Sequence, residues 1–183
     1  MNVPTREAAE LVELIRTQFP SLPVPPYPEK MGQDPLGRDE YADFADTPWP
    51  EVPAKTYAQQ AYDVSPAVGF TGYSPKHMWN YHLPGFMTAS LLHEDQYEVI
   101  DSFMWSFRTA LPSARAMPTD LPWWHGDTPY LYYSNEQAAC VVRYLNHIKE
   151  FGSKPPYHFR WEPGDQRLLK SWIERPTWDL QSP

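Results

Sequence analysis

Between residues 5 and 19, Ala8, Leu11, Val12, Ile15 and Phe19 fall on one helical face with charges opposite, and Pro20 follows. That spacing predicts an amphipathic helix stopped at the proline. A second helical window opens at Ser74-Pro75, a cap followed by a proline where no backbone donor is needed. It carries Met78, Trp79, Leu83, Phe86, Met87, Leu91 and Leu92, with Pro84 in the middle of Tyr81-His82-Leu83-Pro84-Gly85-Phe86-Met87. An interior proline lacks a donor and clashes with the preceding turn, so the expectation is two short helices joined by a sharp kink.

Three further windows share that period. Asp95 and Glu98 have capping-box spacing ahead of Ile100, Phe103, Met104 and Phe107, and Pro112 closes the segment. Ser134 and Gln137 form a standard capping box before Ala138, Val141, Val142, Leu145 and Ile148, with Gly152 placed as a left-handed stop. A last helix begins near Pro163 and packs Leu168, Leu169, Trp172 and Ile173 before Pro176. Residues 130–133 and 153–162 read as short extended pieces. The predicted class is mainly α, a single helical domain with long ordered loops.

Nine prolines and little periodicity set residues 20–53 apart. A stretch of that length without its own secondary structure is either a functional arm or a segment wrapped on the core. Tyr27, Tyr41, Phe44 and Trp49 are natural anchors and favour wrapping. The single domain of residues 1–183 then divides into an acidic, proline-rich wrapping segment (20–72), a helical core (73–151) and a C-terminal extension with a helix (152–183). Apolar residues at 42 % and aromatics at 15 % exceed what a disordered chain carries.

The net charge of −8 disfavours nucleic acid and anionic membrane surfaces, which need clustered Lys and Arg. Seven acids (Glu29, Asp34, Asp39, Glu40, Asp43, Asp46, Glu51) stand between residues 29 and 51 against Lys30 and Arg38. Residues 135–175 hold five acids and seven bases, so the negative field originates in the first half of the chain. Cys140 is the single cysteine; it excludes an internal disulfide and a cysteine zinc cluster, and its place on an apolar stripe predicts a buried, inert thiol. Glu7, Glu10 and Glu13 stand where a signal peptide would be apolar, and no run approaches the ~20 apolar residues of a membrane span. A cytoplasmic location is the simplest expectation.

Six histidines raise the question of a metal site. His77 and His82 are five apart and face different ways on a helix. His93-Glu94-Asp95 lacks the second histidine of a zincin helix, since position 97 is Tyr. His125-Gly126-Asp127 could supply two ligands, while His147 and His158 have no local partner. The expectation is no metal and no cofactor, because ligands would have to converge from unrelated segments. No nucleophile elbow and no glycine-rich phosphate loop is present. Ser74, Ser90 and Ser134 are better explained as caps or small core residues. The chain reads as a protein without catalytic residues.

Aromatic and acidic residues carry the remaining chemistry. Asp39, Glu40, Tyr41, Asp43, Phe44, Asp46 and Trp49 alternate carboxylates with rings. Such a surface suits a basic protein, whose pockets take the rings while its Lys and Arg pair with the acids. Trp123-Trp124 would add a hot spot if exposed. The alternative for the arm is a solvated loop with anchoring rings, and for Trp123, Trp124, Tyr130, Tyr132 and Tyr133 a loop clamp.

Three motifs together resemble an uncharacterised bacterial family defined by a domain of unknown function. They are Leu14-Ile15-Arg16 running to Phe19-Pro20, Ser74-Pro75 leading into Tyr81-His82-Leu83-Pro84-Gly85-Phe86, and Ser134-Asn135-Glu136-Gln137 followed by Tyr144-Leu145. The resemblance covers about residues 7–151; Gly85 stands where that pattern has a small Ala, and residues 152–183 are an extension. It implies no catalytic residue. Small acidic bacterial proteins of this kind are similar in character to immunity proteins of interbacterial toxin systems, a likeness of type rather than of motif. The leading expectation is therefore a cytoplasmic, non-catalytic protein that occludes a toxin's basic active-site cleft with its acidic arm. The alternatives are a small enzyme or ligand-binding protein with a pocket lined by His125, Asp127 and nearby tyrosines, and a structural homo-oligomer subunit.

Overall fold

The structure, a computed structural model, describes residues 5–25, 44, 46–60, 76–92, 97–109, 133–152 and 159–174. Six α-helices follow in chain order: α1 (Arg6–Gln18), α2 (Val52–Gln60), α3 (Lys76–Leu92), α4 (Tyr97–Thr109), α5 (Asn135–Phe151) and α6 (Pro163–Ile173). A 3-10 turn at Trp49–Glu51 leads straight into α2. The described residues contain no strand, and one hydrophobic cluster draws on all six helices. The mainly α class expected from periodicity is the class the chain adopts.

The amphipathic face of α1 and the capping box of α5 form as their sequences predict. Thr5 accepts the Ala8 N–H at the start of α1, and Ala8, Leu11, Val12, Ile15 and Phe19 are all buried. Ser134 Oγ accepts the Gln137 N–H while Gln137 Oε1 accepts the Ser134 N–H, a complete capping box. In α4, Ile100, Phe103, Met104 and Phe107 are buried, as the period requires. The box proposed at Asp95 lies outside the described residues. Gly152 ends α5 in the right-handed region (φ −60°, ψ −31°), not as a left-handed stop. Its role is steric, because a Cβ there would run into the Ile148 carbonyl.

α3 is the centre of the fold. Every residue from Met78 to Leu91 is buried, and α1, α2, the 3-10 turn and α4 all pack on it. The expected break at Pro84 does not occur: one helix runs from Lys76 to Leu92 with the proline inside. The missing N–H leaves the Asn80 carbonyl without its helical donor, and the Tyr133 hydroxyl supplies one at 3.1 Å. Packing supplies the energy. An interior proline costs about 3 kcal/mol. Burying Met78, Trp79, Tyr81, Leu83, Phe86, Met87 and Leu91 contributes about 10–20 kcal/mol as an upper bound. The burial term wins.

Most buried polar side chains on α3 are bonded, although the indole N–H of Trp79 finds no hydrogen-bond partner among the described residues. Thr88 Oγ1 donates to the Pro84 carbonyl at 2.8 Å, and Ser90 Oγ lies 2.8 Å from both the Met87 carbonyl and the Tyr144 hydroxyl. Tyr81 donates its hydroxyl to the Leu22 carbonyl at 2.7 Å, which pins the chain after α1 against the central helix. The Trp79, Phe103 and Phe107 rings stack and tilt at 5.1–5.9 Å, joining α3 to α4.

α6 closes the core from the far side of α4 and α5. Leu168, Leu169 and Trp172 are buried, but Ile173, expected with them, is 60 % exposed. It is the last residue of α6. Asp165, fully buried, receives a bidentate pair from Arg108 at 2.5 and 2.9 Å and the Glu162 N–H at 2.7 Å. Burial lowers the Arg108 pKa, but the Asp165 hydrogen bond and charge, helped by Glu162, raise it further, so the net direction is up.

Candidate partner-binding surface

Phe44 and residues 46–57 are described within the acidic, aromatic segment. Their inward side is fixed tightly. Phe44 is fully buried with its ring 5.5 Å from that of Phe86, and the Lys55 ammonium lies 5.1 Å over it. Trp49 is buried to 3 % exposure and donates its indole N–H to the Pro20 carbonyl at 3.2 Å. Val52 and Thr56 are fully buried, and Lys55 also donates to Thr47 Oγ1 at 2.9 Å. Gly85 makes this approach possible, since a Cβ there would stand 2.5 Å from the Trp49 carbonyl oxygen and 2.8 Å from Val52 Cβ.

His82 is the polar link between this segment and α3. It is fully buried, with Nδ1 2.8 Å from the Met78 carbonyl oxygen and Nε2 2.8 Å from that of Thr47. Burial pushes its pKa down to about 4; backbone carbonyls oppose that shift and the Lys55 charge adds to it.

The outward side of the same segment is polar and aromatic. Asp46, Pro50, Glu51, Ala54 and Tyr57 are exposed, Tyr57 by 47 %. Positions 51, 54 and 57 follow the helical spacing, opposite to Val52, Pro53 and Thr56, which are buried. Glu51 and the half-exposed ring of Tyr57 thus share one outward face, and Asp46 is a further exposed carboxylate ahead of the 3-10 turn.

The residues singled out from sequence therefore separate. Phe44 and Trp49 are core side chains and offer a partner nothing; the anchoring role is the one they fill. Asp46 faces solvent. Asp39, Glu40, Tyr41, Asp43, Trp123 and Trp124 lie outside the described residues, as do His125 and Asp127. Sequence reasoning missed α2 and with it Tyr57. The available signal was Pro50 and Pro53 at the start of a short stretch with apolar residues on one side, a pattern suited to a helix's first turn.

Among the described residues no group of three or more His, Cys, Asp or Glu could hold a metal ion. Burial pushes the Cys140 thiol up to about 12, which makes it a core residue rather than a nucleophile. Burial also lowers the pKa of His147 and raises those of Tyr81 and Tyr133. Among the described residues no helix is long and apolar enough to cross a membrane. Comparison of the chain with protein-family models, with curated proteins and with solved structures finds no match.

Proposed function

We propose that this is a non-catalytic protein-binding protein that presents the acidic first half of its chain to a basic protein partner. The observation that carries the reading is the division of Phe44 and residues 46–57 into buried anchors and the exposed side chains of Asp46, Glu51 and Tyr57. A surface held on a packed base loses little conformational freedom on binding, which favours affinity. Carboxylates beside an exposed ring suit a partner rich in Lys and Arg, and the charge of −8 speeds encounter with it. The specific form proposed is an immunity protein that occludes the basic active-site cleft of a bacterial toxin, acting in the cytoplasm by steric and electrostatic blockade.

The test begins with recovery of the tagged protein from its native host at low salt. A stoichiometric basic protein released by rising salt is then titrated against the Asp46→Lys, Glu51→Lys double variant. Affinity lowered at least tenfold, with unchanged melting temperature, supports the reading. Unchanged affinity overturns the surface. Failure of the chain to suppress the recovered partner's toxicity on co-expression overturns the toxin form alone.

A second reading, a structural homo-oligomer, draws on Trp105 and Ile173, which are 50 % and 60 % exposed on α4 and α6. A mass in solution above one chain that persists at high salt, and that falls in Trp105→Ser, is its expected signature.

A further inference from the structure

The placement of His82 assigns it a task that neither packing nor partner binding requires. A carbonyl oxygen only accepts hydrogen bonds, and a neutral imidazole has one N–H to give. Both ring nitrogens of His82 nevertheless lie 2.8 Å from carbonyl oxygens, one on its own helix and one on the segment beginning at Phe44. Met78 is four residues before His82 in α3, so its carbonyl is the acceptor of the His82 backbone N–H. The neutral ring can therefore donate to only one of these two carbonyls, and the lone pair of its other nitrogen faces an oxygen.

We propose that His82 is a protonation-controlled latch, holding the Phe44–Tyr57 segment on α3 while neutral and releasing it when the ring takes up a second proton.

The direction follows from what surrounds the ring. The site excludes water, and a buried cation loses its hydration. From α2 the Lys55 ammonium faces it, already bonded to Thr47 Oγ1 beside the latch. Asp46 and Glu51 flank the segment but lie in solvent, where screening weakens them. Tyr81, on α3 itself, has its ring 4.8 Å from the imidazole and its hydroxyl on Leu22. The buried faces that α1 and α4 contribute to the core are apolar. Protonation would let both ring nitrogens donate to carbonyls, which moderates the penalty, but burial and Lys55 outweigh that gain.

The sign is fixed by linkage. The docked ring binds a proton near pH 4 and the released ring near 6.5, so acid favours release. Docking is fully present above the released value and declines as pH falls toward the docked one. Between pH 7.5 and pH 5 the released fraction should rise about 30-fold, from those two values.

Amide exchange of the full chain across that range tests this. Protection at Thr47, Glu51 and through α2 is expected to fall about 30-fold. His82→Gln has an N–H to offer Thr47 and cannot titrate, so the fall should vanish. Lys55→Gln should reduce it, and in the wild-type chain NMR should place the His82 titration well below 6.5. No fall in the wild-type chain, or a fall that persists in His82→Gln, overturns the latch. So does a wild-type His82 that titrates at 6.5 or above, a result that needs no variant to fold.

Discussion

The Tyr133 hydroxyl reaches the Asn80 carbonyl at 3.1 Å, the backbone acceptor that Pro84 deprives of its helical donor. One ring from the start of α5 thus completes a hydrogen-bond ladder on α3. Tyr133→Phe should destabilise the protein by about 1–3 kcal/mol, because it leaves a buried carbonyl unbonded. In a Pro84→Ala background, where an amide can bond Asn80, the same change should cost much less. Denaturant titration of the four proteins measures the coupling; additive effects would show that Tyr133 acts only by packing.

Gly85 marks the tightest contact between α3 and the 3-10 turn. Gly85→Ala should force the Trp49 carbonyl and Val52 apart and destabilise by about 1–3 kcal/mol, despite alanine's better helix propensity. Val52→Ala in the same chain should return part of that loss, which thermal unfolding would register as a partial recovery of Tm.

Arg108 and Asp165 join α4 to the first turn of α6. Arg108→Met should destabilise by about 3–5 kcal/mol, since it strands a fully buried carboxylate, whereas Arg108→Met with Asp165→Leu should cost far less. The discriminating measurement is the urea midpoint of the single and double variants.

Cys140 should resist modification. With its thiol pushed up to about 12 and buried at α5, alkylation at pH 8 is expected to require opening of the core, and to become rapid in denaturant. Comparable labelling rates in the native and the denatured chain would contradict this placement.

How far the sequence carried the fold depended on where each structural signal resides. Helices α1, α4, α5 and α6 declare themselves through their period, and α5 also through its capping box; both signals are local, and most of the buried faces follow. Pro84 could not be read locally, because the group that rescues its helix is Tyr133, 53 residues from the bonded Asn80. α2 was overlooked because its inward residues, Val52, Pro53 and Thr56, only acquire meaning against Gly85 of α3. In the candidate surface, acid and ring alternation pointed to the right stretch but not to its two sides. Burial sends Phe44 and Trp49 inward and leaves Asp46 outside, a sorting that composition does not contain.

Gln137 serves two masters at once. Its Oε1 caps its own helix, and its Nε2 donates to the Gln18 carbonyl at the end of α1 across 119 residues of chain. A ribosome adds about 5–20 residues per second, so α1 emerges roughly 6–24 s before the helix that secures its end. For that interval the Ala8, Leu11, Val12 and Ile15 stripe has no α5 to lie against. Helix α1 is thus locked at its end only once α5 has been made, and until then its apolar stripe is a sticky patch that a chaperone can grip.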